Sequence, residues 1–288
     1  MARVGRGAVR LDTAPVGAAV RRRLDAELVR RGLAKSRTRA LEVIEAGHVR
    51  VRGMPATSAA RRVAGDDPIS VVGGSPRFVS RGGDKLAAAL EGFPVDVTGR
   101  TALDVGASTG GFTDCLLQSG AAHVVAVDVG RGQLAWSLRT DPRVTVLERT
   151  NVRYLDPEAI GGPTDLCTAD LSFISLALCA PALARCTTAD ADLVLLVKPQ
   201  FEAGREHIGK GGIVRDAAVH RAVLRRVRDD LAAAGVRAIA VTASPLRGAD
   251  GNLEFFFHCR PRGARRSSDA LDNDSLSAVV ARGIGSGR

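Results

Sequence analysis

Lysine is almost missing from a strongly basic chain. Of 41 Lys and Arg side chains in 288 residues, four are lysine: Lys35, Lys85, Lys198 and Lys210. Arg stays charged and accepts no proton, whereas Lys is a compact charge whose pKa falls when it is crowded or buried. Where an Arg-rich chain keeps Lys, chemistry that Arg cannot supply is a candidate reason. Aromatic residues make up only 3%, so the core has to be built mostly from Ala, Val and Leu. The five cysteines, Cys115, Cys167, Cys179, Cys186 and Cys259, form no C-x-x-C pair. Their scatter argues against a structural zinc site, and buried free thiols in a reducing cytoplasm, with no metal, are expected. Long apolar runs are lacking too. The longest, Leu171 to Ala184, is broken by Ser172, Ser175 and Pro181 and is too short to span a bilayer. No apolar segment follows the Arg-rich N-terminus, so neither a secretory signal nor a membrane partner is expected.

What is present is positive charge in one place. The net charge is +10. Residues 1–62 carry fifteen Lys or Arg against five Asp or Glu, while the other 226 residues carry 26 of each. The excess therefore belongs to an N-terminal segment, and a polyanion is its natural partner. With 45% hydrophobic residues the chain can bury one large core and a smaller module.

Residues 1–20 are Gly, Ala and Arg with little periodicity and are expected to be flexible. Arg21 to Leu33 reads as an amphipathic helix with Leu24, Leu28 and Val29 inward, ending near Gly32. Ser36 is a candidate N-cap for a second helix that carries Leu41, Val43 and Ile44 and stops at Gly47. His48 to Gly53 alternates like a half-buried strand entering a turn, and a strand at Ile69 to Val72 follows. The stretches R-L-D-A-E-L-V-R-R-G-L-A-K-S-R-T-R-A and I-E-A-G-H-V-R-V-R-G resemble the ribosomal-protein-S4-like RNA-binding domain. That resemblance implies a basic helix pair lying on structured RNA. Phosphate contacts position such a module without base readout. No aromatic interleaves these charges, so stacking on a single strand is not expected here. The candidate RNA contacts are Arg22, Arg23, Arg30, Arg31, Lys35, Ser36, Arg37, Arg39, Arg50 and Arg52 of this module at 21–73, with Arg81 and Lys210 beyond it.

Gly73-Gly74-Ser75-Pro76 signals a linker, placed at 74–80. After it the pattern becomes strand–helix units. Thr101 to Val105, Val124 to Asp128, Val144 to Leu147, Leu166 to Asp170, Leu193 to Lys198 and Val236 to Thr242 read as strands. Phe112 to Gln118, Gln133 to Arg139 and Ala217 to Ala234 read as helices between them. The fold class is α/β, with a mostly parallel Rossmann-like sheet at 81–260 covered on both faces and a small α+β module before it. A last strand, Glu254 to Cys259, is expected to be antiparallel by analogy with class-one methyltransferase folds. In the polar tail, 261–288, Leu276, Val279, Val280 and Ile284 fit one side of a short final helix. The alternative there is disorder up to about Asp274.

Leu103-Asp104-Val105-Gly106-Ala107-Ser108-Thr109-Gly110-Gly111-Phe112 ends a strand and opens a helix. Small residues there let the backbone approach a ligand. Asp128 ends the next strand, where a carboxylate accepts both hydroxyls of a ribose. These features alone fit either a nicotinamide dinucleotide or S-adenosylmethionine. Ser108 stands where the dinucleotide fingerprint needs its second Gly, so D-x-G-x-x-x-G-G-F is the better match to an adenosylmethionine loop.

Four polar residues fall at the expected mouth of the sheet: Lys85 in S-R-G-G-D-K, Asp170 in A-D-L-S-F, Lys198 in L-L-V-K-P-Q-F and Glu254 in G-N-L-E-F-F-F. A Lys–Asp–Lys–Glu set suits methylation of a ribose 2′-hydroxyl, which must lose its proton as the methyl transfers. A lysine serves as the base only when its pKa is pulled down, and a second cation and partial desolvation push that way. Asp170 and Glu254 are then expected to orient and balance charge.

These motifs, with F-V-S-R-G-G-D-K-L, A-V-D-V-G-R-G-Q-L-A-W and A-S-P-L-R-G-A-D-G-N-L-E-F-F, resemble the TlyA family (hemolysin A-like proteins) and its FtsJ-like methyltransferase core over roughly residues 20 to 260. The resemblance implies methylation of a cytidine 2′-hydroxyl in large-subunit rRNA. In longer members it implies small-subunit rRNA as well, with sensitivity to capreomycin and viomycin. It implies a catalytic tetrad of Lys85, Asp170, Lys198 and Glu254 with Lys198 as base. It places S-adenosylmethionine contacts on Asp104, Gly106, Ala107, Ser108, Thr109, Gly110, Gly111, Phe112, Asp128 and Asp170, with Asn151 near the adenine. The expected partner is rRNA in ribosomal subunits, met by a cytoplasmic monomer. The alternatives are a non-catalytic RNA-binding ribosome-assembly factor, separable by whether it binds the cofactor, and a membrane-active hemolysin, separable by liposome leakage.

Overall fold

The computed structural model describes residues 21–34, 36–72, 77–248, 250–264 and 271–285, and it divides into two units at residues 75 and 76. The expected flexible stretch 1–20, the candidate RNA contact Lys35, the Gly73-Gly74-Ser75-Pro76 linker signal and residues 265–270 of the tail lie outside the described residues.

In the N-terminal unit, α1 (Leu24–Arg30) is followed by Gly32 at φ +68°, and α2 (Arg37–Glu45) by Gly47 at φ +74°. Gly enters this left-handed conformation at little cost, so both helices stop there. The Ser36 hydroxyl caps α2 by accepting from Arg39 N at 3.1 Å. Leu24, Leu28, Ala40, Val43 and Ile44 are buried against Val49 and Val51. Leu41, expected on the inner face, is 38% exposed. Ala40, Val43 and Ile44 already fill that face at helical spacing, so Leu41 turns outward. The strands are β1 (Arg22–Arg23), β2 (Val49–Val51), β3 (Met54–Pro55), β4 (Arg62–Val63) and β5 (Ile69–Val71). β2 pairs antiparallel with β3 and β5, and β1 pairs with β4. β1, β3 and β4 are two residues each, too short to leave a period in the sequence.

The larger unit runs α3 (Arg81–Gly92), β6 (Thr101–Val105), α4 (Gly111–Gln118), β7 (His123–Val127), α5 (Trp136–Arg139), β8 (Val144–Leu147), β9 (Thr164–Ala169), α6 (Leu176–Arg185), β10 (Thr187–Val197), α7 (Pro199–Glu202), α8 (Ala217–Ala233), β11 (Val236–Ala243), β12 (Phe255–Pro261) and α9 (Asn273–Gly285). Seven strands form one sheet in the order β11-β12-β10-β9-β6-β7-β8. β12 is antiparallel to both neighbours, and the β10-β9-β6-β7-β8 pairings are parallel. Strand alternation divides the core into two layers. Leu103, Val125, Leu193, Phe255 and Phe257 face α6, α8 and α9, whereas Val124, Leu196 and Phe256 face α3, α4 and α5. Each fully buried Phe or Leu contributes about 1.5–3 kcal/mol of transfer free energy, and β12 places three such rings, Phe255, Phe256 and Phe257, inside the sheet layers.

The expected helix over Gln133–Arg139 is shorter, because Gln133 and Leu134 are drawn into the neighbouring loop. The Gln133 amide oxygen lies 3.3 Å from the Ser108 hydroxyl, and Leu134 packs against Gly110. In the tail, Leu276, Val279 and Val280 of α9 are buried, while Ile284 is 39% exposed.

Candidate active site

One edge of the sheet collects the polar residues. β6, β7, β9 and β10 end at Val105, Val127, Ala169 and Val197, so Gly106, Asp128, Asp170 and Lys198 all follow a parallel strand. β12 runs the other way with Phe255 opposite Val197, which brings Glu254 to the same edge. Lys85 arrives from the second turn of α3. Gly111 makes that approach possible: a Cβ there would lie 2.3 Å from Ser80 Oγ and 2.9 Å from Gly83 N.

The structure gathers the four expected residues into two ion pairs. Lys85 Nζ donates to Glu254 Oε2 at 2.6 Å, and both side chains are buried. Lys198 Nζ lies 2.5 Å from Asp170 Oδ1 and 2.9 Å from the Ser172 hydroxyl, with its side chain 12% exposed. The apolar run before Lys198 shelters it. Buried Glu202 pins α7, just beyond Lys198, to α6 by accepting from the Ser175 hydroxyl and Leu176 N. Phe173 is 90% exposed at φ +63°, and its ring sits 4.9 Å from Phe201. The Phe201 centroid lies 5.9 Å from Lys198 Nζ. A bulky residue in the left-handed region is a strained outlier, and such strain concentrates at functional sites.

Beside this edge is a pocket with an apolar lining of Ala107, Ala126, Leu134 and Val146 and polar groups from Ser108, Asp128, Gln133 and Glu148. Asp128 is held rigidly. Its Oδ1 accepts from Gly130 N at 2.7 Å and its Oδ2 from Ser108 N at 2.8 Å, which leaves each oxygen further acceptor capacity. Glu148 accepts from Gly132 N at 2.7 Å and pairs with Arg139, and the Gly132 donor holds its carboxyl below the usual range. Gly130, Gln133, Leu134, Val146 and Glu148 were not singled out from the sequence. Glu148 was legible in principle, because it follows β8 as Asp128 follows β7.

The loop residues divide by what they touch. Ala107, Ser108 and Asp128 line the pocket. Gly106 at φ +81° and Gly110 at φ +98° serve close protein contacts: a Cβ on Gly106 would lie 2.5 Å from the Asp170 carbonyl oxygen, and one on Gly110 would lie 2.3 Å from Leu138. Thr109 is exposed in the loop and accepts from Ala135 N through its carbonyl. Phe112 is buried at 6.0 Å from Phe256, so its ring belongs to the core and does not line the pocket. Asn151 does not line the pocket. Its side chain caps the 3-10 turn Val152–Tyr154 by accepting from Arg153 N.

Asp104 is fully buried beneath the loop rather than facing a ligand. Its Oδ2 accepts from the Thr113 hydroxyl at 2.6 Å and its Oδ1 from the Thr168 hydroxyl at 3.2 Å. Burial pushes its carboxyl up to about 7, against those two donors. Above about pH 4 the folded chain therefore holds a proton that the unfolded chain has lost. Stability from this group is full below that pH and is lost as pH rises toward 7. Asp104→Asn removes the dependence. Urea denaturation is expected to show the variant gaining about 2–3 kcal/mol on the wild type between pH 5 and pH 8. Equal differences at the two pH values would contradict this account.

In the N-terminal unit, buried carboxylates organise the expected RNA contacts. Asp25 pairs with Arg23 at 3.1 Å and Arg37 at 3.0 Å, and Glu27 with Arg30 at 2.6 Å and Arg31 at 2.8 Å. The Arg23 and Arg30 guanidiniums, respectively, are the main cause holding each carboxyl at about 2. Arg31 is a staple rather than a free contact, since its guanidinium also donates to the Asp67, Ala64 and Gly65 carbonyls. Arg52 donates to Asp67, Arg39 to Glu42 and Arg50 to the Gly53 carbonyl. Arg22 is exposed on β1. Arg81 is half-buried on α3, and Lys210 is exposed in the loop before α8. All five cysteines are buried and free. Among the described residues no helix is long and apolar enough to cross a membrane, and no group of three or more His, Cys, Asp or Glu could hold a metal ion.

Comparison with known proteins agrees with both units. Residues 78–260 match the FtsJ-like methyltransferase family and residues 22–69 the S4 domain. The 16S/23S rRNA (cytidine-2'-O)-methyltransferase TlyA of Mycobacterium tuberculosis is 54% identical over 272 residues, covering 93% of this chain and 98% of that protein. Hemolysin A of Brachyspira hyodysenteriae is 39% identical over 82% of this chain and 98% of its own. A solved structure from Streptococcus thermophilus, described as a candidate hemolysin, superposes with a TM-score of 0.74 at 38% identity, covering 93% of this chain and 98% of that one. With an S4 domain ahead of an FtsJ-like methyltransferase domain, and with this identity along nearly its whole length, the chain belongs to the TlyA family.

Proposed function

We propose that this chain transfers the methyl group of S-adenosylmethionine to a cytidine ribose 2′-hydroxyl of ribosomal RNA, with Lys198 as the base. The observation that carries the reading is the pairing of Lys198 with Asp170 and Lys85 with Glu254 at the edge where the Gly106 loop opens. The pocket, about 220 Å³ in volume, suits the nucleoside end of the cofactor. Its apolar lining fits a planar base, and the fixed Asp128 and Glu148 carboxylates fit ribose hydroxyls and a cationic ligand. When bound, the cofactor supplies an electrophilic methyl group on a sulfonium. Lys198 acts as the neutral amine, after its ammonium has released a proton to solvent, and its Nζ then accepts the proton that the 2′-oxygen loses as it is methylated. Asp170 then balances the ammonium formed beside it. Lys85 and Glu254 fix the neighbouring wall of the site. A single chain supplies both pairs, so a monomer suffices.

The S4 domain is proposed to hold folded RNA through phosphate contacts from Arg22, Arg23, Arg30, Arg37, Arg39, Arg50 and Arg52; the buried Asp25, Glu27 and Asp67 carboxylates orient Arg23, Arg30, Arg37 and Arg52. The high identity to an enzyme named for both 16S and 23S rRNA extends the proposal to both subunits. Tritiated S-adenosylmethionine supplied with small subunits, large subunits and naked rRNA, followed by mapping of ribose-methyl stops, tests it. Label appearing on a base or on protein would overturn it.

Phe173, held outward against Phe201, is placed to stack on the target base. Stacking on an aromatic is worth about 1–3 kcal/mol per base, so Phe173→Ala should raise KM for RNA by about tenfold or more. Binding of S-adenosylmethionine should stay unchanged. An unaltered KM would remove the stacking role.

A further inference from the structure

A second cavity opens beyond the β11–β12 end of the same edge and is not part of the site described above. It is a solvent-open space of about 650 Å³. Arg215 and Arg247 stand at its rim, Ile213, Leu253 and Ile284 line it, and His220 closes it from α8. The two arginines are exposed, and among the described residues no ion pair joins either of them to a carboxylate. Arg247 donates only a long bond, 3.4 Å, to the Gly251 carbonyl. His220 is 2% exposed, and its Nδ1 is buried with no hydrogen-bond partner. Asp216, the nearest carboxylate in sequence, is turned to its own helix and accepts from Ala218 N at 2.7 Å.

The cavity is built on a pinned framework. Buried Asn252 donates to the Gly212 carbonyl at 2.9 Å and accepts from Val214 N at 3.0 Å. That ties the Gly209–Ile213 hairpin, with Lys210 at its tip, to the turn that carries Arg247. Asn252 lies two residues before Glu254, so the arginine rim is coupled through a short rigid segment to the Lys85–Glu254 pair. Two exposed guanidiniums at the rim of one cavity match a phosphoryl group, since Arg presents a planar fork to its oxygens.

We propose that this cavity binds a backbone phosphodiester of the RNA substrate, a few nucleotides from the methylated ribose. The proposal rests on RNA being the substrate but not on methyl transfer. Its test therefore reads binding alone. The full chain, without cofactor, is titrated against purified radiolabelled ribosomal subunits over a salt series from about 50 to about 200 mM. In Arg215→Ser/Arg247→Ser, affinity is expected to fall about tenfold, and the slope of log affinity against log salt to fall by about one unit. Arg215→Lys/Arg247→Lys keeps the charges and is expected to keep the slope. The exposed positions leave the core untouched, and an unchanged thermal unfolding curve for the serine variant confirms that.

Unaltered affinity and slope in the serine variant would overturn the proposal. Inorganic phosphate is titrated separately by calorimetry. Phosphate binding that the serine variant abolishes, with subunit affinity unaltered, would assign the cavity to a free anion and overturn its assignment to RNA. If the wild type binds subunits through these arginines yet transfers no methyl group, the enzymatic reading fails and the phosphodiester site stands.

Discussion

Lys198→Ala is expected to lower kcat for methyl transfer to ribosomal RNA by about 10²- to 10⁴-fold, the range lost when a positioned general base is removed. The loss should lie in kcat and not in cofactor affinity, because Lys198 does not line the Ala107–Glu148 pocket. Lys198→Arg should do no better than Ala. The guanidinium retains the charge opposite Asp170 but does not give up its proton at any working pH. This pair of variants separates the two uses of a cation. If Lys198 served only to hold Asp170 in place, Arg would restore much of the rate. Single-turnover transfer of tritium to ribosomal subunits measures the step directly. An Arg variant within tenfold of wild type would remove Lys198 from the role of base.

The fold was legible because the parallel strands are long enough to read. Thr101–Val105 and Val144–Leu147 run as continuous apolar or near-apolar stretches bounded by turn residues, and the structure ends them where the sequence does. Asp170 and Lys198 were legible for the same reason, since a polar residue just past a buried strand has to emerge at the edge; Glu254, just before β12, and Lys85, on α3, were legible only through their motifs. Their pairing was not. Nothing in the spacing of Lys85 and Glu254, 169 residues apart, says that they touch, because it depends on β12 inserting antiparallel beside β10. The glycines carry a second constraint. Gly106, Gly110 and Gly111 look like room for a ligand, yet the atoms crowding them belong to Asp170, Leu138 and Ser80. Close approach leaves the same mark in a sequence whether the visitor is a cofactor or the protein's own chain. Phe112 sits next to the loop and also in the first turn of a core helix, where its ring packs against Phe256.

Glu254→Leu is expected to destabilise the chain by about 3–5 kcal/mol, the cost of leaving one member of a buried ion pair without its partner. The pair is well enclosed, with side chains 9% and 2% exposed for Lys85 and Glu254, so water cannot take over from the lost carboxylate. Gly248 shows how tightly the carboxylate is seated, since a Cβ there would lie 2.5 Å from Glu254 Oε1. Lys85→Met/Glu254→Leu should recover most of that stability, because two apolar side chains of similar volume replace two charges that were costly to desolvate. Denaturant titration of the wild type, both single variants and the double variant gives the coupling by a double-mutant cycle. Methyl transfer should not recover with stability. The double variant restores the packing but not the cation and carboxylate at the wall of the site. A double variant that is both stable and active would reduce Lys85 and Glu254 to a structural strut, leaving Lys198 and Asp170 to carry the chemistry alone.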